Sequence, residues 1–356
     1  MAVAARVDVD GWVEQFDTAF ARIAGRFGRR EPRWQARAFL LGVLSDVDTR
    51  SCWQLAEQAG DRSPHGMQRL LTDAVWDADA VRDDLRRYVA DELGEPDGLL
   101  VLDDTGDLKR GTQTVGVQRQ YTGTAGKIEN AQVAVFAAYV SSKGRALVDR
   151  DIYLPRAWTD DPRRMARMAC AGVPAGVGFA SKVTLGRRML ARAFDAGMPA
   201  AWVTADEFYG GERGLRRDLQ ERQVGYVLAV ARSHHIDMPI GHLRADQAAG
   251  RLHRRCWNRL SAGQGAKGER VYDWALLQSP HPPTSGADTT GCLSADAAAT
   301  VSWPSTAAGH PDPSPSPNWS KWPAADGRSR SASKRPRARS VSTSTRSAAS
   351  PPLARG

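Results

Sequence analysis

Glutamate is absent from the chain after Glu269, although the chain runs on to Gly356. A site that needs a glutamate from a late helix therefore cannot be completed as the sequence stands. Cysteine is scarce. Cys52, Cys170, Cys256 and Cys292 are scattered without paired metal-ligand spacing, which argues against a zinc cluster or a disulfide framework and fits a reducing cytosol. No apolar run approaches the roughly 18 residues of a membrane span, and no basic segment followed by a long apolar core opens the chain. The expectation is a cytoplasmic protein with no membrane partner. From Ser279 onward Glu, Ile, Phe and Met are all missing, the large aliphatics are Leu293, Val301, Val341 and Leu353, and 12 of the chain's 20 prolines are present. Such a segment cannot bury enough apolar surface to offset its ordering entropy, so residues 279–356 are expected to be disordered.

What is present is a pair of aspartates, each following an apolar strand-like run: Asp104 in GLLVLDDTGDLKRG and Asp206 in AWVTADEFYG. Carboxylates held at strand ends in an apolar scaffold offer the hard oxygen ligands that Mg²⁺ or Mn²⁺ prefers. An Asp after a strand is also an ordinary turn residue or helix N-cap, and Asp206 is a candidate cap for a helix over Glu212–Glu221. Two other motifs lead nowhere. Gly123 to Lys127 lacks the spacing of a phosphate loop, so no nucleotide cofactor is expected, and the segment reads as a turn near the acids. Ser233-His234 has no nucleophile elbow, and His234 and His235 read as surface-loop residues.

Four ordered blocks carry a family resemblance: VLDDTGDLKRG, the run from Val115 to Ser141, WVTADEFYGGERGLRRDL, and ERVYDWALL ending at Leu277. Together they resemble the DDE-type transposases of bacterial insertion sequences, over about Trp12 to Leu277. The resemblance implies a ribonuclease H-like fold and Mg²⁺- or Mn²⁺-dependent DNA cleavage and strand transfer at terminal inverted repeats. It makes Asp104 and Asp206 the catalytic, metal-holding acids, with weaker claims for Asp103 and Glu207. It also implies double-stranded DNA as partner, both repeat ends and target, a homodimer as a candidate assembly, and action at the bacterial nucleoid.

The hydrophobic pattern agrees with that fold class, a mixed α/β sheet with helices behind a helical N-terminal region. It predicts a strand ending at Asp104, antiparallel partners near Gln132–Val140 and Ala146–Leu154, helices over Asp161–Met168 and Lys182–Ala196, a strand leading to Asp206, a helix, and a strand over Gly225–Val230. Residues 1–95 are expected to form a helical DNA-binding domain, 96–278 an incomplete catalytic domain and 279–356 the tail.

The third acid of such a site is a late glutamate, and the tail reads as a frameshifted translation of the region that would supply it. Taken from the third base of each codon, Asn318–Trp322 can encode E-L-V-K-V, and Lys334–Arg346 can encode an acidic amphipathic stretch. On that reading the shift lies between Leu277 and about Ser302, the glutamate is lost near Ser329–Ser331, and the protein is catalytically defective. The alternative is a non-catalytic DNA-binding protein that inhibits or regulates transposition.

The net charge of +9 is a poor guide to DNA binding, because nine basic and four acidic residues place +5 of it in the tail and leave +4 in the body. Local clusters matter more. Lys109 and Arg110, close after Asp104, are expected to contact the DNA backbone, with Arg119, Gln120 and Tyr121 beside them. In the N-terminal region, Ser51–Ala59 and Pro64–Thr72 around a Gly60–Ser63 turn read as a helix-turn-helix, with His65, Gln68 and Arg69 as DNA contacts, a pattern that ordinary helical packing explains about as well.

Overall fold

Apolar residues at helical spacing fold the first part of the chain into five helices: α1 (Val9–Ala24), α2 (Arg30–Leu44), α3 (Cys52–Gln58), α4 (His65–Thr72) and α5 (Ala78–Leu93). The computed structural model describes residues 9–238, 241–265, 268–278, 289–294 and 298–302. Phe20 and Ile23 of α1 close with Phe27 on Ala36 of α2 and Leu70 of α4. The turn between α3 and α4 forms as expected. The Ser51 hydroxyl accepts from the Gln54 amide at 3.3 Å, Gly60 takes a positive φ of 78° that suits glycine, and Leu55, Ala56 and Met67 are buried together.

The sheet begins with β1 (Leu99–Leu108), β2 (Gln118–Thr122), β3 (Lys127–Ser141) and β4 (Gly144–Ile152). After α6 (Arg156–Thr159), α7 (Pro162–Cys170) and α8 (Lys182–Asp195) come β5 (Trp202–Ala205), α9 (Glu207–Gly210), α10 (Arg213–Glu221) and β6 (Gly225–Val230). The β7 (His235–Met238) and β8 (Gly241–Arg244) hairpin follows, then α11 (Ala245–Arg251), β9 (Asn258–Gly265), β10 (Gly268–Gln278), β11 (Thr289–Ser294) and β12 (Ala298–Ser302).

The main sheet runs β2-β3-β1-β5-β6-β12-β11-β10-β9, with β4 also paired to β3. Antiparallel β4, β3 and β1 are extended by β5 and β6, both parallel to β1, which gives the ribonuclease H-like mixed sheet. Alternation sets its buried face. Leu100, Leu102, Val135, Ala137, Tyr139, Val203, Ala205, Tyr226 and Leu228 form one core with Leu185, Met189 and Leu190 of α8 and Leu215 and Leu219 of α10. Each large side chain of this kind contributes about 1.5–3 kcal/mol by leaving water. Val89 of α5 joins the same core, so the last N-terminal helix packs on the sheet.

Three expectations change. β1 does not end at Asp104 but continues to Leu108, because β3 keeps pairing with it as far as Leu108↔Ala131. The helix capped by Asp206 is α9; Glu212 caps α10, accepting from the Gly214 amide at 3.1 Å. Within the segment expected to be disordered, Thr289–Ser294 and Ala298–Ser302 are strands, and β12 pairs antiparallel with β6. The codons read as the lost third motif, near 318–346, lie outside the described residues.

Candidate active site

Parallel pairing between β1 and β5 runs from Leu99↔Trp202 to Leu102↔Ala205 and then stops. The next residues are Asp103 and Asp104 on β1 and Asp206 after β5. The two acids separated by 102 positions in sequence thus meet where two parallel strands part. Asp104 shares its sheet face with Leu100 and Leu102, and so faces α8. Asp103 lies on the opposite face, where its Oδ1 accepts from the Asp104 amide at 2.7 Å. Asp206 is the N-cap of α9. Its Oδ1 accepts from the amides of Phe208 at 3.0 Å and Tyr209 at 3.4 Å.

Burial raises the Asp206 carboxyl above its ordinary value of 3.8; the two amides pull it down, and Asp103 and then Asp104 push it up again. Three carboxylates therefore act on one another in a half-buried place. Two further residues belong to the site that the sequence reading did not pick out. Lys182, the first residue of α8, donates from Nζ to Asp104 Oδ2 at 3.0 Å, with both side chains largely buried. The Tyr209 hydroxyl is fully buried with no hydrogen-bond partner among the described residues, and burial followed by the fields of Asp104, Asp206 and Asp103 drives its ionisation far upward. A cation at the first turn of α8 and a tyrosine one helical turn beyond Asp206 were the available signals.

The turn expected over Gly123 to Lys127 forms at 123–126 between β2 and β3, Lys127 being the first residue of β3, and Thr124 Oγ1 lies 3.4 Å from Thr105 Oγ1, next to Asp104. Gly106 is buried against this hairpin; a Cβ there would stand 2.0 Å from Thr122 Oγ1. Lys109 follows β1 directly and pairs with Asp107, while the Asn130 side chain holds the carbonyls of Lys109 at 2.7 Å and Gly111 at 2.9 Å. Arg110, Arg119 and Tyr121 are exposed. Gln120 is committed internally, its amide donating to the Ala131 carbonyl at 2.7 Å. Gln68 and Arg69 are exposed on α4. His234 is half-buried rather than a surface residue, and burial followed by the charge of Arg216 lowers its pKa.

The sequence pattern of the DDE superfamily endonuclease family matches residues 22–275, well over half of the chain. The chain belongs to this family. It is also 25% identical over 206 residues to a probable transposase for insertion sequence element IS701 from Microchaete diplosiphon, covering 57% of this chain and 50% of that protein. The chain thus spans about half the length of that curated relative. Among solved structures, the NurA nuclease from Sulfolobus solfataricus matches at a TM-score of 0.25 and 9% identity, over 62% of this chain and 76% of that one, a likeness too slight to bear on fold or activity.

A divalent cation suits the acid edge of this DDE endonuclease in kind, since the donors are hard carboxylate oxygens and burial, with Asp103 and Asp104 beside it, raises Asp206, although the Lys182 ammonium already pairs with Asp104. The ligand count falls short. Among the described residues no group of three His, Cys, Asp or Glu side chains is arranged to hold a metal ion.

Proposed function

We propose that the chain is the transposase of an insertion sequence, acting on DNA at the edge where β1 and β5 part, with Asp104 and Asp206 as ligands of Mg²⁺ or Mn²⁺. The observation that carries this reading is the meeting of the two acids beside β1 and β5 in a chain of the DDE superfamily endonucleases. When bound, such an ion stabilises charge on phosphoryl oxygens and activates a water or 3′-hydroxyl. The protein's own groups orient the site. The Phe208 and Tyr209 amides fix Asp206, β1 backbone pairing on both sides of Asp104 fixes that acid, and the core under Leu102 keeps the edge rigid. Lys109, Arg110, Arg119 and Tyr121 lie on the strands and loops that follow Asp104, where phosphate contacts give affinity without reading sequence. Gln68 and Arg69 on α4 would contact the terminal repeats, in the cytoplasm at the nucleoid.

Among the described residues no group of three His, Cys, Asp or Glu side chains is arranged to hold a metal ion, and this favours a protein that cuts weakly or not at all as it stands. A second reading follows from the same fact: a non-catalytic DNA-binding product that competes with intact transposase. Strand cleavage in Mn²⁺, on duplexes carrying the ends of the encoding element, separates the two. A protein whose frame is restored beyond Leu277 should cut those ends, and D104N or D206N in that background should abolish cutting. A restored protein that leaves its own ends intact would overturn the transposase reading.

A further inference from the structure

Phe208 is 53% exposed on α9, two residues beyond Asp206, while its neighbour Tyr209 is wholly buried. A single exposed phenylalanine is ordinary; this one begins a strip. The Lys182 ammonium stands 5.4 Å from the centre of its ring and 5.7 Å from that of Tyr153. The Tyr153 ring meets Phe179 edge to face, with centres 6.4 Å apart, and the Arg156 guanidinium lies over Phe179 at 4.3 Å. Rings and positive charges thus interleave over five residues that come from α9, α8, the residue after β4, the loop before α8 and the start of α6. Lys182 ties one end of the strip to the acids, donating to Asp104 Oδ2, and Tyr153 is anchored against the sheet core. Arg156 is exposed and Phe179 is half-buried, so the strip keeps a side open to solvent.

We propose that this strip is a binding site for unpaired DNA, in which bases of a separated strand stack on Phe208 and Phe179 and a backbone phosphate meets Arg156. The proposal rests on the reading of DNA as the substrate of the acid edge, and it adds the form of DNA that the edge receives. A nucleic-acid strand alternates flat bases with charged phosphates, and a surface that interleaves aromatic faces with cations matches both without reading sequence. In an intact duplex each base is already stacked on its neighbours and offers no free face, so the strip favours a strand that has been opened. Unstacking a base has a cost, which an aromatic partner beside the acids offsets. Lys182 and the packing of Tyr153 hold the rings at the acid end in place, so little side-chain freedom is lost when a base arrives.

The test is binding of fluorescently labelled DNA to the full chain, measured by anisotropy with EDTA present so that no divalent ion contributes. A mixed-sequence single strand and the blunt duplex of the same sequence are compared for the wild type, F208A, F208L, F208W and R156Q. The wild type should bind the single strand more tightly than the duplex. F208A should weaken single-strand binding about tenfold, the loss of one base–aromatic stack, and leave duplex binding unchanged. F208L keeps the apolar bulk without the ring and should weaken it equally, whereas F208W should bind at least as tightly as the wild type. R156Q should lower the dependence of log affinity on log salt by about 0.7, the signature of one phosphate contact on a single strand. Single-strand affinity unchanged in both F208A and F208L would overturn the proposal and leave DNA as the substrate, as would a wild type that binds the duplex alone. No binding of either DNA would overturn both. Circular dichroism melting establishes that each variant is folded. Should F208A melt below the assay temperature, F208L and F208W decide: weaker binding in the first and retained binding in the second support the proposal, and equal binding in both overturns it.

Discussion

At the scale of single residues, Asp206 does two things that pull in opposite directions. As an N-cap it stabilises α9, and as a half-buried acid beside Asp103 and Asp104 it resists ionisation. A carboxyl whose folded pKa is raised favours the fold fully below its ordinary value of 3.8, and that advantage is lost as pH climbs through the raised folded value. Asparagine caps a helix as well as aspartate. D206N should therefore melt above the wild type at pH 7, with the difference closing near pH 3; a lower melting temperature at both pH values would contradict the assignment. Tyr209 offers a second check. Its buried hydroxyl has no partner among the described residues, so Y209F should be neutral or stabilising, by up to about 1 kcal/mol in denaturant unfolding. Asp104 and Asp206 were legible because each follows an apolar run. Lys182 was not, because its partner is 78 positions away and only the fold makes them neighbours.

At the scale of elements, the acid edge depends on how tightly α9 sits on the sheet. Gly210 ends α9 so close to β6 that a Cβ there would fall 1.8 Å from the Ala229 carbonyl oxygen. G210A must push α9 away from the sheet and tilt the cap that Asp206 forms. We expect it to cost about 1–3 kcal/mol in chemical denaturation. The same variant should weaken Mn²⁺ binding, whereas an unchanged Mn²⁺ affinity would separate α9 from the site. The sequence predicted most elements, including β6 over Gly225–Val230 and α8 from Lys182, since their periodicity and caps are strong. It misjudged the end of β1, because an apolar run reports burial while the strand continues as long as β3 pairs with it. It passed over α9, whose four residues are too few to show a helical period.

At the scale of the whole molecule, a single buried carboxylate ties the helical region to the sheet. Asp149 of β4 is wholly buried and accepts from Arg192 of α8 at 2.9 Å and from Arg86 of α5 at 3.4 Å, with Arg82 of α5 at 3.6 Å. Removing it would take from Arg192 its ion-pair partner and leave the nearly enclosed Arg82 and Arg86 only the more exposed acids of their own helix, Asp79 and Asp83 for Arg82 and Asp83 for Arg86. D149A should cost about 3–5 kcal/mol, measured by denaturant unfolding of the full chain, and a loss under 1 kcal/mol would show the network to be dispensable. Composition marks a linker near residue 95 but cannot reveal that α5 packs on β4. The proposed chemistry depends on the acids beside β1 and β5. The most direct measurement is Mn²⁺ titration of the full chain against D104N and D206N. The prediction is one bound ion in the wild type, displaced by excess Mg²⁺, and its loss in both variants. Undiminished binding in both variants, or none in the wild type, would contradict it.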